Sequence, residues 1–219
     1  MINNAIKSFF ASDIGFVLLI VAAVGDLLIP FLLAPFQKKY NHLTMVMSLL
    51  GNRHHRLHAI YNFWLVLAGV MLILGSIKLF ETYSHKSPIL STFLILDMMI
   101  YSIGACILSG LFSVGETKIL TTVSEKIHGY ASVLGFFLLI FVPLIIAVIF
   151  FQTKDFGTGI TSLIFFVLSV IFFTLFVMAD KEKFSNTIIS YEGIWQRLCL
   201  LCMYAPIVII SIKNICERQ

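Results

Sequence analysis

Glu116 and His128 stand at the facing ends of two long apolar runs, in Gly110-Leu-Phe-Ser-Val-Gly-Glu116 and in Lys126-Ile-His128-Gly-Tyr130. If the link between the runs brings their ends together, a carboxylate meets an imidazole. Such a pair can orient a general base, carry a proton or ligate a metal. The structural alternative makes Ser124 the N-cap of the following helix, with His128 in its first turn and Glu116 solvated.

A second acid lies deeper. Asp26, in Val24-Gly-Asp26-Leu-Leu-Ile-Pro30, falls near the middle of the first apolar run. A carboxylate at the centre of a spanning helix costs about 2.5–3.5 kcal/mol on insertion scales, so it faces the bundle interior and finds a partner there. Asp97 is similar in chemistry but nearer the opposite end. His54 and His58 are four apart, the spacing of two metal ligands on one helix face. Arg53 and Arg56 flank them, which favours a basic cluster on headgroups over a bound cation. Asn62 lies one turn further on the face of His58. Asp180 closes the fifth run, while Glu192, Gln196 and Arg197 open the sixth. Arg197 is the anion clamp on offer to a lipid headgroup.

The frame that must position these residues is a membrane frame. Of 219 residues, 59% are hydrophobic and only 12% charged, and mean hydropathy is +1.00. An ordinary soluble domain carries about a quarter charged residues. A spanning helix takes roughly 20 mostly apolar residues, and the runs here, at about 14–36, 57–79, 89–115, 127–151, 160–179 and 195–212, number about six. They are continuously apolar, which excludes an alternating β-barrel. The first run exceeds a signal-peptide core and is expected to be retained. The fold expected is an all-α, six-helix transmembrane bundle forming a single domain over residues 1–219. Between the first two spans, His42-Leu-Thr-Met-Val-Met-Ser-Leu-Leu-Gly51 is too short to cross and too apolar to lie free in water. It is expected to lie in the interface or re-enter the bundle.

Of the 15 Lys and Arg residues, nine fall on the side of loops one, three and five, four of them in the first loop. The positive-inside rule then puts those loops in the cytoplasm and both termini outside. Nothing in the charge pattern points to nucleic acid. No nucleotide loop, nucleophile elbow or zinc-protease helix occurs, and no histidines recur at matching depth for a haem. Zinc at His54 and His58 is the one cofactor the spacing allows. Cys199-Leu-Leu-Cys202 has redox spacing without a βαβ setting, and small residues at a helix contact explain it better.

Ser48-Leu-Leu-Gly51, Tyr61-Asn62-x-x-Leu65-x-x-x-Gly69, Gly110-Leu-Phe-Ser-Val-Gly-Glu116 and His128 occur in an order that resembles a bacterial and archaeal membrane family, domain of unknown function number 998. Asp26-Leu-Leu-Ile-Pro30 and Tyr191-Glu-Gly-Ile-Trp-Gln-Arg197 fit the same pattern. The resemblance implies six spans, a prokaryotic cell membrane and no settled activity. More loosely, Gly-Leu-Phe followed by a histidine opening the next span is similar to the eukaryotic Frag1/DRAM/Sfk1 group.

The expectation is that Asp26, Asn62, Glu116, His128, Asp180, Glu192, Gln196 and Arg197 gather around one polar pocket on the side of the odd loops. It would bind a lipid headgroup or a small amphipathic molecule, with membrane lipids as partners. One alternative is an intramembrane hydrolase or transferase acting on lipid, with His128 as base and Glu116 or Asp26 as orienting acid or metal ligand. A second is a proton- or ion-coupled transporter using Asp26 and Asp97.

Overall fold

The computed structural model describes residues 12–115 and 119–217. Six helices in it are long and apolar enough to cross a membrane: Ile14–Phe36 (α1), His58–Tyr83 (α2), Pro88–Leu111 (α3), Val123–Gln152, Phe156–Ala179 and Glu192–Glu217. Several begin or end a turn away from the apolar runs, because polar end turns are fixed by caps that hydropathy does not register. Thr122 and Glu125 close a reciprocal capping box at the start of the fourth span. Asp155 accepts from the Thr158 amide at the start of the fifth. The fourth-span cap is therefore Thr122 rather than Ser124, and His128 lies in the second turn.

The spans close into a ring. The first packs on the second and sixth, the second on the third, the third on the fourth, and the fifth on both the fourth and the sixth. Glycines set how closely the third span is gripped. A Cβ on Gly69 would meet the Ser102 carbonyl at 2.8 Å, and one on Gly104 would meet the Ala131 carbonyl at 2.5 Å. Small residues that admit backbone contact are how helices associate where lipid is as apolar as the side chains.

Two spans are irregular in ways that shape the interior. The third widens from Ser102 to Leu108 into a π-helix, a distortion frequent at functional sites. The fourth breaks into α4 (Val123–Leu139) and α5 (Val142–Gln152). Pro143 explains the break: it has no N–H to give the Leu139 carbonyl, and its ring clashes there. The fifth span is the least enclosed of the six.

The end opposite the odd loops is locked. Lys213 Nζ pairs with Asp155, Asn214 donates to Tyr83 Oη at 2.7 Å, and the fully buried Lys78 donates to Glu81 at 2.8 Å. The hydrogen bond from Lys213, with those from Thr158, holds the Asp155 carboxyl down at about 2. Because folding lowers this pKa, the pairing contributes fully above the ordinary carboxylate range and is lost as pH falls through about 2. Melting of detergent-purified protein should therefore lose an acid-limb decrement below about pH 4 when Asp155 is replaced by Ala; scanning fluorimetry from pH 7 to 3 on both proteins checks this.

Candidate functional site: a cavity floored by Asp26

Asp26 lies about midway along the first span and is only 3% exposed. Its neighbour is glycine for a local reason: a Cβ on Gly25 would stand 2.2 Å from the Trp64 ring, so only glycine lets the indole in beside the acid. Asp26 Oδ2 accepts from Tyr204 Oη at 2.8 Å and from Tyr101 Oη at 3.3 Å. The two phenols also lie 2.5 Å apart; with two hydroxyl hydrogens for three contacts, two of the three are hydrogen bonds at a time. The Trp64 N–H is near enough to act on the carboxyl but meets no acceptor in hydrogen-bond geometry. Three spans, the first, third and sixth, are thereby pinned by one carboxylate. Its Oδ1 takes no hydrogen bond among the described residues.

Above this floor opens a cavity of about 700 Å³, walled by all six spans and running from Asp26 to the odd loops. Tyr61, Leu65, Tyr101, Ala105, Phe136 and Leu200 make much of its wall, and Ser109 Oγ and Ser132 Oγ bond across the third and fourth spans at 2.7 Å. His128 is on the wall and 6% exposed. Its Nδ1 lies 2.8 Å from the Phe112 carbonyl, where the third span unwinds. A carbonyl only accepts, so Nδ1 carries a proton toward it. The Ser109 carbonyl also lies near the ring.

The first loop forms the roof. Thr44 to Leu49 line the cavity, and Met47–Gly51 is a short 3₁₀ turn with Met47, Leu50 and Gly51 buried. The start of the sixth span holds this roof down. Arg197 Nη1 donates to the carbonyls of His42 (2.9 Å), Met45 (3.2 Å) and Gly193 (2.7 Å), and Nη2 to Tyr40 Oη at 2.6 Å. Its guanidinium also faces the Phe31 and Tyr40 rings. Burial pushes the Tyr40 phenol up, with Arg197 opposing; burial and then Arg197 push the His42 imidazole down. Gln196 Oε1 accepts from the Met47 amide at 2.7 Å, and the Ile194 amide donates to the Leu43 carbonyl at 3.1 Å.

The cavity brings together Asp26, His128, Asp180, Glu192 and Gln196 from the residues the sequence singles out. Arg197 is not on its wall: the guanidinium that sequence offers as an anion clamp is a latch on the loop. Asn62 is also off the wall, donating to the Gly51 carbonyl at 3.1 Å. Glu116 lies outside the described residues. Helix begins only at His58, so His54, on the preceding turn, does not share a helix face with it. His58 Nδ1 is bonded to the His55 carbonyl at 2.7 Å. Among the described residues no group of three His, Cys, Asp or Glu side chains is placed to hold a metal ion. Asp97 is half-buried and away from the cavity, with no hydrogen bond among the described residues. Cys199 and Cys202 are buried free thiols.

Three contributors escaped sequence reasoning. Tyr204 carries no motif and Tyr61 enters only through the family pattern, though a tyrosine inside an apolar run needs a partner for its hydroxyl. Glu125, on the wall and capping α4, carries the Thr-x-x-Glu signature of a helix start.

Fold and site together define an integral membrane helical bundle with a mainly apolar cavity that carries a few polar groups. The family profile described as "Protein of unknown function (DUF998)" matches residues 11–213, and the chain belongs to that family. No curated protein and no solved structure matches it.

Proposed function

We propose that this protein is a lipid-binding membrane protein that holds one amphipathic molecule in the cavity between Asp26 and the first loop. The observation that carries this reading is the cavity itself. At about 700 Å³ it falls in the range of small-molecule sites, roughly 300–1,000 Å³, and it combines the apolar wall and few placed polar groups typical of them. A hydrophobic ligand tail would meet Leu65, Phe136 and Leu200, and a polar group would meet Asp26, His128, Ser109, Ser132 and Gln196. His128 lacks an acidic partner among the described residues, and Asp26 is bonded to tyrosines, so binding accounts for the arrangement without a reaction step.

Filling the cavity tests this. Ala105→Trp and Leu200→Trp each place an indole in the space. Native mass spectrometry of detergent-purified protein should show retained lipid falling about tenfold in both, the equivalent of roughly 1.4 kcal/mol. Undiminished retention in two variants that still melt cooperatively would refute the reading.

A further inference from the structure

The wall between the fourth and fifth spans differs from every other. Tyr130, Val133 and Val177 line the cavity, yet they are 70%, 67% and 45% exposed, more than side chains enclosed by six packed spans would be. A side chain meets both conditions only where the cavity breaks through the ring. Tyr130 and Val133 are seven and ten residues past Val123, roughly 10–15 Å along the axis at 1.5 Å per residue. The breach therefore lies among apolar, lipid-facing side chains. It exists because the fourth span is broken: α5 packs along the fifth span, whereas α4 leans on the third. Where α4 still meets the fifth span, Phe136 and Phe137 stack with Phe173 and Phe176, ring centroids 5.8–6.2 Å apart. Those rings close the seam toward the membrane centre.

The deep polar groups have one character. Asp26 and His128 are both more than nine-tenths buried and line the cavity, and Asp26 Oδ1 takes no hydrogen bond among the described residues, so the carboxylate offers the cavity an acceptor. A ligand hydroxyl or ammonium would complete the hydrogen bonding of that oxygen. Arg197 is committed to loop carbonyls, and neither Arg53 nor Arg56 lines the cavity, so no guanidinium is presented there for a phosphate.

Resting on the lipid-binding reading above, we infer that the ligand is a bilayer lipid whose headgroup carries hydrogen-bond donors, hydroxyl or ammonium, given to Asp26 on the wall it shares with His128, and whose acyl chain leaves through the seam between α4 and the fifth span. Hydroxyl and ammonium groups share the donor chemistry; the amounts retained distinguish them.

The test uses full-length protein in nanodiscs containing phosphatidylcholine with a small fraction of one photoactivatable lipid, its diazirine in the acyl chain. The headgroup is monoglucosyl, ethanolamine or, as donor-free control, choline. Cross-links mapped by peptide mass spectrometry should concentrate at 130–137 and 173–180 for the glucosyl or ethanolamine lipid, at least fivefold above Ile160, Leu163, Ile164, Val167, Val170 and Ile171, the exposed face of the fifth span. The choline lipid should label both regions alike. His128→Phe and Asp26→Leu should each erase the difference between headgroups, and His128→Gln, which keeps a polar side chain, should retain it. Equal labelling of seam and outer face by all three lipids overturns the inference. So does a headgroup preference that survives both apolar variants. Either result leaves the binding reading intact if Ala105→Trp still empties the cavity, so the two failures are separable.

Discussion

Replacing Gly193 by Ala should unfasten the first loop as thoroughly as removing Arg197 itself. A Cβ at position 193 would lie 2.4 Å from the Met45 carbonyl, 2.5 Å from the His42 carbonyl and 2.9 Å from the Met45 amide. All three are backbone atoms, so no rotamer change relieves the clash; the loop must move. Arg197→Ala reaches the same state from the other side, stripping donors from two loop carbonyls and from Tyr40. Hydrogen bonds to a charged group contribute about 1.5–3 kcal/mol each. Even partial rescue by water leaves a loss of roughly 3 kcal/mol, which at about 2–4 °C per kcal/mol for a chain of this size is a fall of some 6–12 °C in Tm. Lysine at 197 should recover little, since a single ammonium cannot span acceptors that a planar fork reaches together. Limited proteolysis reads the same event locally: cleavage within 38–57 should accelerate in Gly193→Ala, while the loop after the fifth span keeps its rate. An unchanged Tm and cleavage pattern in both variants would mean that the roof is held by something other than this latch.

How much of this was legible beforehand depends on the range of each interaction. Membrane spans are local, set by runs of about 20 apolar residues, and all six emerge where composition puts them. The boundaries shift where a cap overrides hydropathy, as Thr122 and Glu125 do for α4. Asp26 was legible as an inward-facing acid because charge in lipid is costly wherever it occurs. Its partners were not, since Tyr204 is 178 positions away and nothing local marks one tyrosine of an apolar run as buried.

Arg197 illustrates the opposite failure. Its type and position at a helix start fit a headgroup clamp equally well, and only the path of the first loop, 152–157 positions away, decides the matter. The π-helix in the third span is similarly silent in sequence. Gly104 is visible, but that it must clear the Ala131 carbonyl follows from a helix crossing. A proline within an apolar run marks a kink, as Pro143 does, whereas its consequence, α4 parting from the fifth span, depends on what each half packs against. Residue types thus located the polar half of the bundle, and tertiary geometry divided it between groups that hold the roof and groups that face the cavity.

The same division governs what Asp26 should do when it is altered. In Asp26→Ala the Tyr101 and Tyr204 hydroxyls keep each other, at 2.5 Å, so one donor rather than two is orphaned. The penalty is then roughly 2 kcal/mol, one buried unsatisfied group, or about 4–8 °C in Tm. Tyr204→Phe should cost more than Tyr101→Phe, because its bond to the carboxylate is the shorter, 2.8 against 3.3 Å. In the double variant Tyr101→Phe/Tyr204→Phe the carboxylate loses both donors at once, and the losses should exceed the sum of the singles by about 1 kcal/mol, the coupling expected within one buried network. Strict additivity in that cycle would dissolve the triad as a unit. Asp26→Asn separates shape from charge: it retains an acceptor for the phenols, so stability should fall by less than half of the Ala loss. In a Trp195→Phe background, Trp64 is the sole indole, and its emission reports directly on the group beside it. Replacing the carboxyl by an amide should shift that emission while the helices stay in place, and an unmoved spectrum would show that the indole and the acid are not in contact.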